Sequence, residues 1–103
     1  MWDLDTVDRG VSAALESELQ RPDNWDVVIA HFLGVDHAGH KYGPNHKEMA
    51  RKLREMNAAI ERTAANMPED CLLLVFGDHG MTDAGDHGGD SDSELNAALF
   101  TYR

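Results

Sequence analysis

Two apolar, β-rich runs constrain this chain most. They are Trp25-Asp26-Val27-Val28-Ile29-Ala30-His31-Phe32-Leu33 and Cys71-Leu72-Leu73-Leu74-Val75-Phe76. Both are short and mostly apolar on both faces, as strands buried inside a parallel sheet are. Between them Met49, Leu53, Met56, Ile60 and Ala64 recur at helical spacing and predict a helix over Lys47 to Asn66. Strand, helix, strand is a βαβ unit, with parallel strands and a right-handed crossover. The expected fold class is therefore α/β with a parallel-sheet βαβ core. Both strands would end at one sheet edge, where ligands of open α/β sheets bind.

The remaining elements fit around that unit. Asp3 or Asp5 is a candidate N-cap for a first helix whose apolar face is Leu4, Val7, Val11, Ala14, Leu15 and Leu19. Gly34 to Asn45, with three glycines and Pro44, reads as a loop. Asn45 then caps the second helix, with Glu48 completing a capping box. A glycine-rich loop follows from Gly77 to about Ser93, and Leu95 to Tyr102 is a weaker candidate strand. At 103 residues there is room for one small domain. Residues 1–103 are read as belonging to a single domain.

The net charge of −10, from 19 acidic against 9 basic residues, leaves no basic stripe for a nucleic-acid backbone. Most of the acids suit a solvated surface. Asp36, Asp78, Asp83 and Asp86 differ, because they lie beside histidines where cations would offset their repulsion. The single Cys71 has no internal disulfide partner and is expected in the core. No signal peptide is expected at Met1-Trp2-Asp3, and no run has the length of a membrane span.

The chemistry lies just past the two predicted strands, in Asp36-His37-Ala38-Gly39-His40 and Gly77-Asp78-His79-Gly80-Met81. Each joins carboxylate and imidazole groups at a glycine-rich strand end, the donor types a divalent metal needs. Two such loops side by side suit a two-metal site, which usually handles phosphate esters. His87, in Gly85-Asp86-His87-Gly88-Gly89, is a further candidate. Asp36, His40, Asp78, His79 and His87 form a nitrogen and oxygen donor set that suits zinc or manganese better than calcium. His37 lies between two candidate ligands, placed for substrate contact or ligand support. His31 is expected in the core and His46 on the surface. Thr82 and Ser91 lack the strand-to-helix placement of an activated nucleophile.

The stretch from Trp25 to His40, with Tyr42-Gly43-Pro44, resembles the alkaline-phosphatase-like superfamily, as do Gly77-Asp78-His79-Gly80-Met81-Thr82 and Gly85-Asp86-His87-Gly88-Gly89. Within it the chain is most similar to the glycosylphosphatidylinositol (GPI) ethanolamine-phosphate transferases, nearest the branch acting on the third mannose. The opening Asp3-Leu4-Asp5-Thr6-Val7-Asp8 fits too. The resemblance implies a partial alkaline-phosphatase-like domain, the C-terminal part of the catalytic domain. It implies two divalent metals, zinc before manganese, the first on Asp36, His40 and His87, the second on Asp78 and His79. It implies a Thr or Ser nucleophile and one more Asp ligand upstream, so no catalytic nucleophile is expected within this chain. The implied reaction moves phosphoethanolamine from phosphatidylethanolamine to a mannose of the GPI precursor. The setting would be the lumenal side of the endoplasmic reticulum membrane, with the remaining catalytic domain and a membrane region as partners.

Two other functions stay open at this point. A nucleotide pyrophosphatase or phosphodiesterase of the same superfamily would carry a similar first motif. A non-catalytic metal-binding module would need the ligands and nothing else.

Overall fold

In the computed structural model the described residues are 3–103; Met1 and Trp2, where no signal segment is expected, lie outside them. Helix α1 spans Thr6–Leu19, and a 3-10 turn at Pro22–Asn24 ends it. Helix α2 spans Gly34–Tyr42 and α3 spans Lys47–Asn66. Strand β1 (Leu73–Phe76), the short helix α4 (Asp92–Leu95) and β2 (Leu99–Tyr102) complete the order.

Asp3 starts α1 by accepting hydrogen bonds from the Asp5 and Thr6 N–H groups at 2.9 and 3.0 Å. Trp25 closes the far end, its indole N–H donating to the Glu18 carbonyl at 2.8 Å. Helices α2 and α3 pack on one another around Leu4, Ala38 and Met49, with Val35 and Tyr42 against them. The buried faces are turned from those the apolar spacing predicts. Val7 and Leu53 are exposed, and Asp8 and Lys52 take the innermost positions of α1 and α3.

Several expectations are corrected. Trp25–Leu33 carries no regular secondary structure and joins no sheet among the described residues. Val28, Ala30 and Phe32 are half-buried, while Val27, Ile29 and His31 face outward. His31 is therefore not a core residue. Among the described residues the one sheet pairs β1 with β2, antiparallel, with Leu73 opposite Tyr102 and Phe76 opposite Leu99. The mixed helix-and-strand character holds; a parallel βαβ pairing is not seen among the described residues. An apolar run specifies a strand-like backbone but not its partner. Gly34–Tyr42, expected as loop, is helical. The N-cap of α3 is His46, not Asn45, and its Nδ1 accepts from the Glu48 N–H at 3.1 Å. His46 also stacks on Tyr42, ring centroids 4.3 Å apart. Cys71 is a half-buried free thiol just before β1.

Candidate metal centre

The helical state of α2 sets the first motif. Asp36 and His40 stand four residues apart, one above the other on a helix face. The His40 Nε2 lies 3.4 Å from Asp36 Oδ1. His37, one position on, is half-buried and points about 100° around the axis from Asp36.

The second motif reaches α2 by close packing of its loop. A Cβ on Gly39 would sit 2.3 Å from Met81 Sδ, so the methionine occupies the space a side chain would fill. Gly85, at φ +86°, approaches so closely that its own Cβ would lie 2.5 Å from the Gly39 carbonyl oxygen. Only glycine combines that backbone with that approach. Thr82 ties the loop, its N–H donating to the Asp86 carbonyl and its Oγ1 accepting from the Asp86 N–H. The Gly80 N–H donates to the Glu94 carbonyl at 2.7 Å, and Ser91 and Glu94 form a capping box on α4. Thr82 and Ser91 thus serve the loop architecture. The capping box is legible as Ser91-x-x-Glu94 and adds a stop that pattern reading of the loop missed.

Docking brings both motifs to one point. His87 Nε2 is 3.2 Å and His79 Nε2 3.9 Å from Asp36 Oδ1. One ligand atom each from Asp36, His79 and His87 lie within 4.8 Å of one another. The His79 and His87 rings stack with centroids 3.9 Å apart, and His40 and His87 approach to 4.9 Å. Asp78 sits at the edge, Oδ1 3.7 Å from His79 Nε2, and is largely exposed. On its other side His31 Nε2 comes within 3.8 Å of Oδ2. His31 is a neighbour of the site that its apolar context concealed. Asp83 and Asp86 are exposed.

The charges are unbalanced in a telling way. Asp36 Oδ1 is buried and has no hydrogen-bond partner, an unusual state for a carboxylate oxygen. His79 Nδ1 lies 2.7 Å from the Gly80 carbonyl, which assigns the proton to Nδ1 and turns the Nε2 lone pair toward Asp36. That same hydrogen bond raises the His79 pKa above its ordinary value; burial opposes it, and the Asp78 and Asp36 charges add to it. The oxygen-to-nitrogen separations of 3.2, 3.4 and 3.9 Å bracket the edge, about 3.4 Å, of a tetrahedral shell with metal–ligand bonds near 2.1 Å. Orphaned oxygen, oriented imidazole and spacing all fit a divalent cation.

Comparison with known proteins identifies the family. A family model described as type I phosphodiesterase / nucleotide pyrophosphatase matches residues 2–99. The chain belongs to that family. Among relatives of this phosphodiesterase-like chain, the human GPI ethanolamine phosphate transferase 3, catalytic subunit, is 56% identical over 100 residues, covering 97% of this chain and 9% of the relative. GPI ethanolamine phosphate transferase 3 of Saccharomyces cerevisiae is 48% identical over 102 residues, covering 99% and 10%. GPI ethanolamine phosphate transferase 2 of Kluyveromyces lactis is 43% identical over 97 residues, covering 94% and 12%. The chain thus spans about a tenth of the length of these relatives. No solved structure matches. The resemblance to GPI ethanolamine-phosphate transferases read from the motifs stands.

Proposed function

We propose that this chain carries metal ligands of a phosphoethanolamine transferase that modifies a mannose of the GPI precursor. The observation that carries the reading is the buried, unpartnered Asp36 Oδ1 facing imidazole nitrogens from both motifs. The relatives supply the substrate class: they are named as GPI ethanolamine phosphate transferases. Phosphatidylethanolamine as donor, a third-mannose acceptor and the lumenal endoplasmic reticulum follow from that kinship.

Asp36, His40 and His87 are assigned to one cation, and Asp78 with His79 to a second; zinc suits these donors best and manganese next. His79 lies close enough to Asp36 to join the first group, which makes it the residue between the two positions. Bound cations would neutralise the phosphate oxygens and the oxygens that attack and leave. The residues' own task is to hold that charge at one place. His79 is locked in one tautomer by Gly80, and His37 lies on α2 for contact with substrate. The nucleophile is assigned to sequence upstream, so the chain by itself should transfer nothing.

The chain reads as part of one alkaline-phosphatase-like catalytic domain. In that whole domain Trp25–Leu33 is assigned as a parallel strand beside β1. Two features support this: Val27 and Ile29 are 76% and 88% exposed, and His31, near the end of this run, lies 3.8 Å from Asp78, just past β1. The decisive test places this segment in the yeast transferase 3 in exchange for its matching stretch. Restored phosphoethanolamine transfer that is lost again with Asp36→Ala supports the reading; transfer unaffected by Asp36→Ala refutes the site. The family description also supports a nucleotide phosphodiesterase. Turnover of a nucleotide diester by the chimera, with none of the lipid donor, would favour that second activity.

A further inference from the structure

Asp8 and Lys52 are the two largest fully buried side chains among the described residues, 1% and 0% exposed. They meet beneath the start of α2. Asp8 Oδ1 accepts the Leu33 N–H at 2.9 Å, and its two oxygens accept the Gly34 N–H at 3.2 and 3.1 Å. Lys52 Nζ lies 2.7 Å from Asp8 Oδ2 and is held further by Asp5 and Glu55, each at 3.3 Å.

Leu33 is the N-cap of α2 and has no side chain that could cap it. The first N–H groups of a helix lack intrahelical partners and attract negative charge. Here the missing cap comes from another helix. Gly34 makes the approach possible, since a Cβ there would lie 2.1 Å from Lys52 Cε and 2.2 Å from Asp8 Oδ2. A buried ion pair is a weak contributor to net stability, because desolvation offsets attraction. An apolar pair would fill this space. What only the carboxylate supplies is the acceptor for both N–H groups, three and two residues before Asp36. A rigid helix rises about 1.5 Å per residue, so displacement of its first turn passes directly to Asp36 and His40.

We propose that Asp8, held by Lys52, is a positioning residue for the metal centre: it fixes the first turn of α2 so that Asp36 and His40 meet the histidines of the docked loop. This rests on reading the cluster as a metal site. The test is cobalt titration of the full chain, followed by calorimetry and by the visible spectrum of the bound ion. It compares the unsubstituted chain, Asp8→Asn, and the double variant Asp8→Leu/Lys52→Met, which keeps the packing and removes the acceptor. Circular dichroism reports folding. Arg62→Gln, at the exposed Arg62–Glu16 pair between α1 and α3, is the control for general weakening.

The expected result is cobalt binding weaker by about tenfold or more and an altered spectrum in the folded Asp8 variants, with the control unchanged. Unchanged affinity and spectrum in a folded Asp8 variant would overturn the inference. Should Asp8→Asn fail to fold, the double variant decides. If the unsubstituted chain takes up no cobalt, the metal reading fails, and the positioning claim is judged on the metal-free protein. There the contact between the His40 and His87 rings, read by nuclear Overhauser effect, should weaken in the Asp8 variants. If it persists at full strength, positioning by Asp8 is wrong.

Discussion

Asp8 and Asp36 lie at the two ends of one short relationship, the pin under α2 and the cluster it presents. Asp8 is enclosed and satisfied, with two backbone N–H groups and an ammonium on its oxygens. Asp36 has a buried oxygen surrounded by imidazole nitrogens, none of which hydrogen-bonds to it. A closed carboxylate serves the fold; an open one facing imidazole nitrogens leaves room for a cation. The same residue type, in the first turn of two different helices, takes either role according to what faces it.

The sharpest way to break this comparison is to remove one facing partner from each. Lys52→Ala strands the Asp8 charge in the interior and should cost about 3–5 kcal/mol. Asp36→Asn, measured without metal, should change stability by less than about 1 kcal/mol or raise it, because no native hydrogen bond to Oδ1 is lost. Denaturant unfolding of both variants checks this. Equal losses would mean that Asp36 is as structural as Asp8.

Metal addition sharpens the same contrast from the other side. At zinc a hundredfold above its Kd, the unsubstituted chain should gain about 2.7 kcal/mol. Asp36→Asn should gain far less, and His40→Ala an intermediate amount. Unfolding with and without zinc is the measurement, and equal gains in all three proteins would remove the ligand assignment. Gly34→Ala comes next, at about 1–3 kcal/mol of overpacking, since its new Cβ would fall on the two groups of the buried pair.

Parts of this arrangement were legible in the sequence, and the physical reasons are particular. The α3 span and the strand at Leu73–Phe76 follow from spacing and apolar character. The meeting of the two motifs was expected at a shared parallel-sheet edge, whereas the structure brings them together through α2 and the docked glycine-rich loop. Helix α2 was hidden because Gly34 and Gly39 lower its local propensity, and its stability comes from Asp8 and from packing of Ala38. The Asp8–Lys52 pair was hidden because apolar spacing assigns the buried face to Val7 and Leu53, one residue away in each helix. The partner of Trp25–Leu33 was illegible because pairing is a property of two segments, and one segment carries only half of it.

Asp3 supplies a third kind of carboxylate, and the smallest effect. It is exposed and caps α1 from the surface, where its hydrogen bond from the Thr6 hydroxyl, then those from the Thr6 and Asp5 N–H groups, lower its pKa from 3.8 to about 2. A depressed folded-state pKa means the carboxylate form is favoured by folding. Its contribution is therefore complete above about pH 4 and fades as the pH falls through 2. Asp3→Asn should remove that acid-dependent part and leave the neutral-pH helix slightly frayed, read from the Asp5 and Thr6 amide shifts between pH 5 and 2. If the Thr6 amide instead shifts only when the whole chain unfolds, Asp3 is no independent surface cap, and the contrast between water-facing and enclosed carboxylates in this fold is lost.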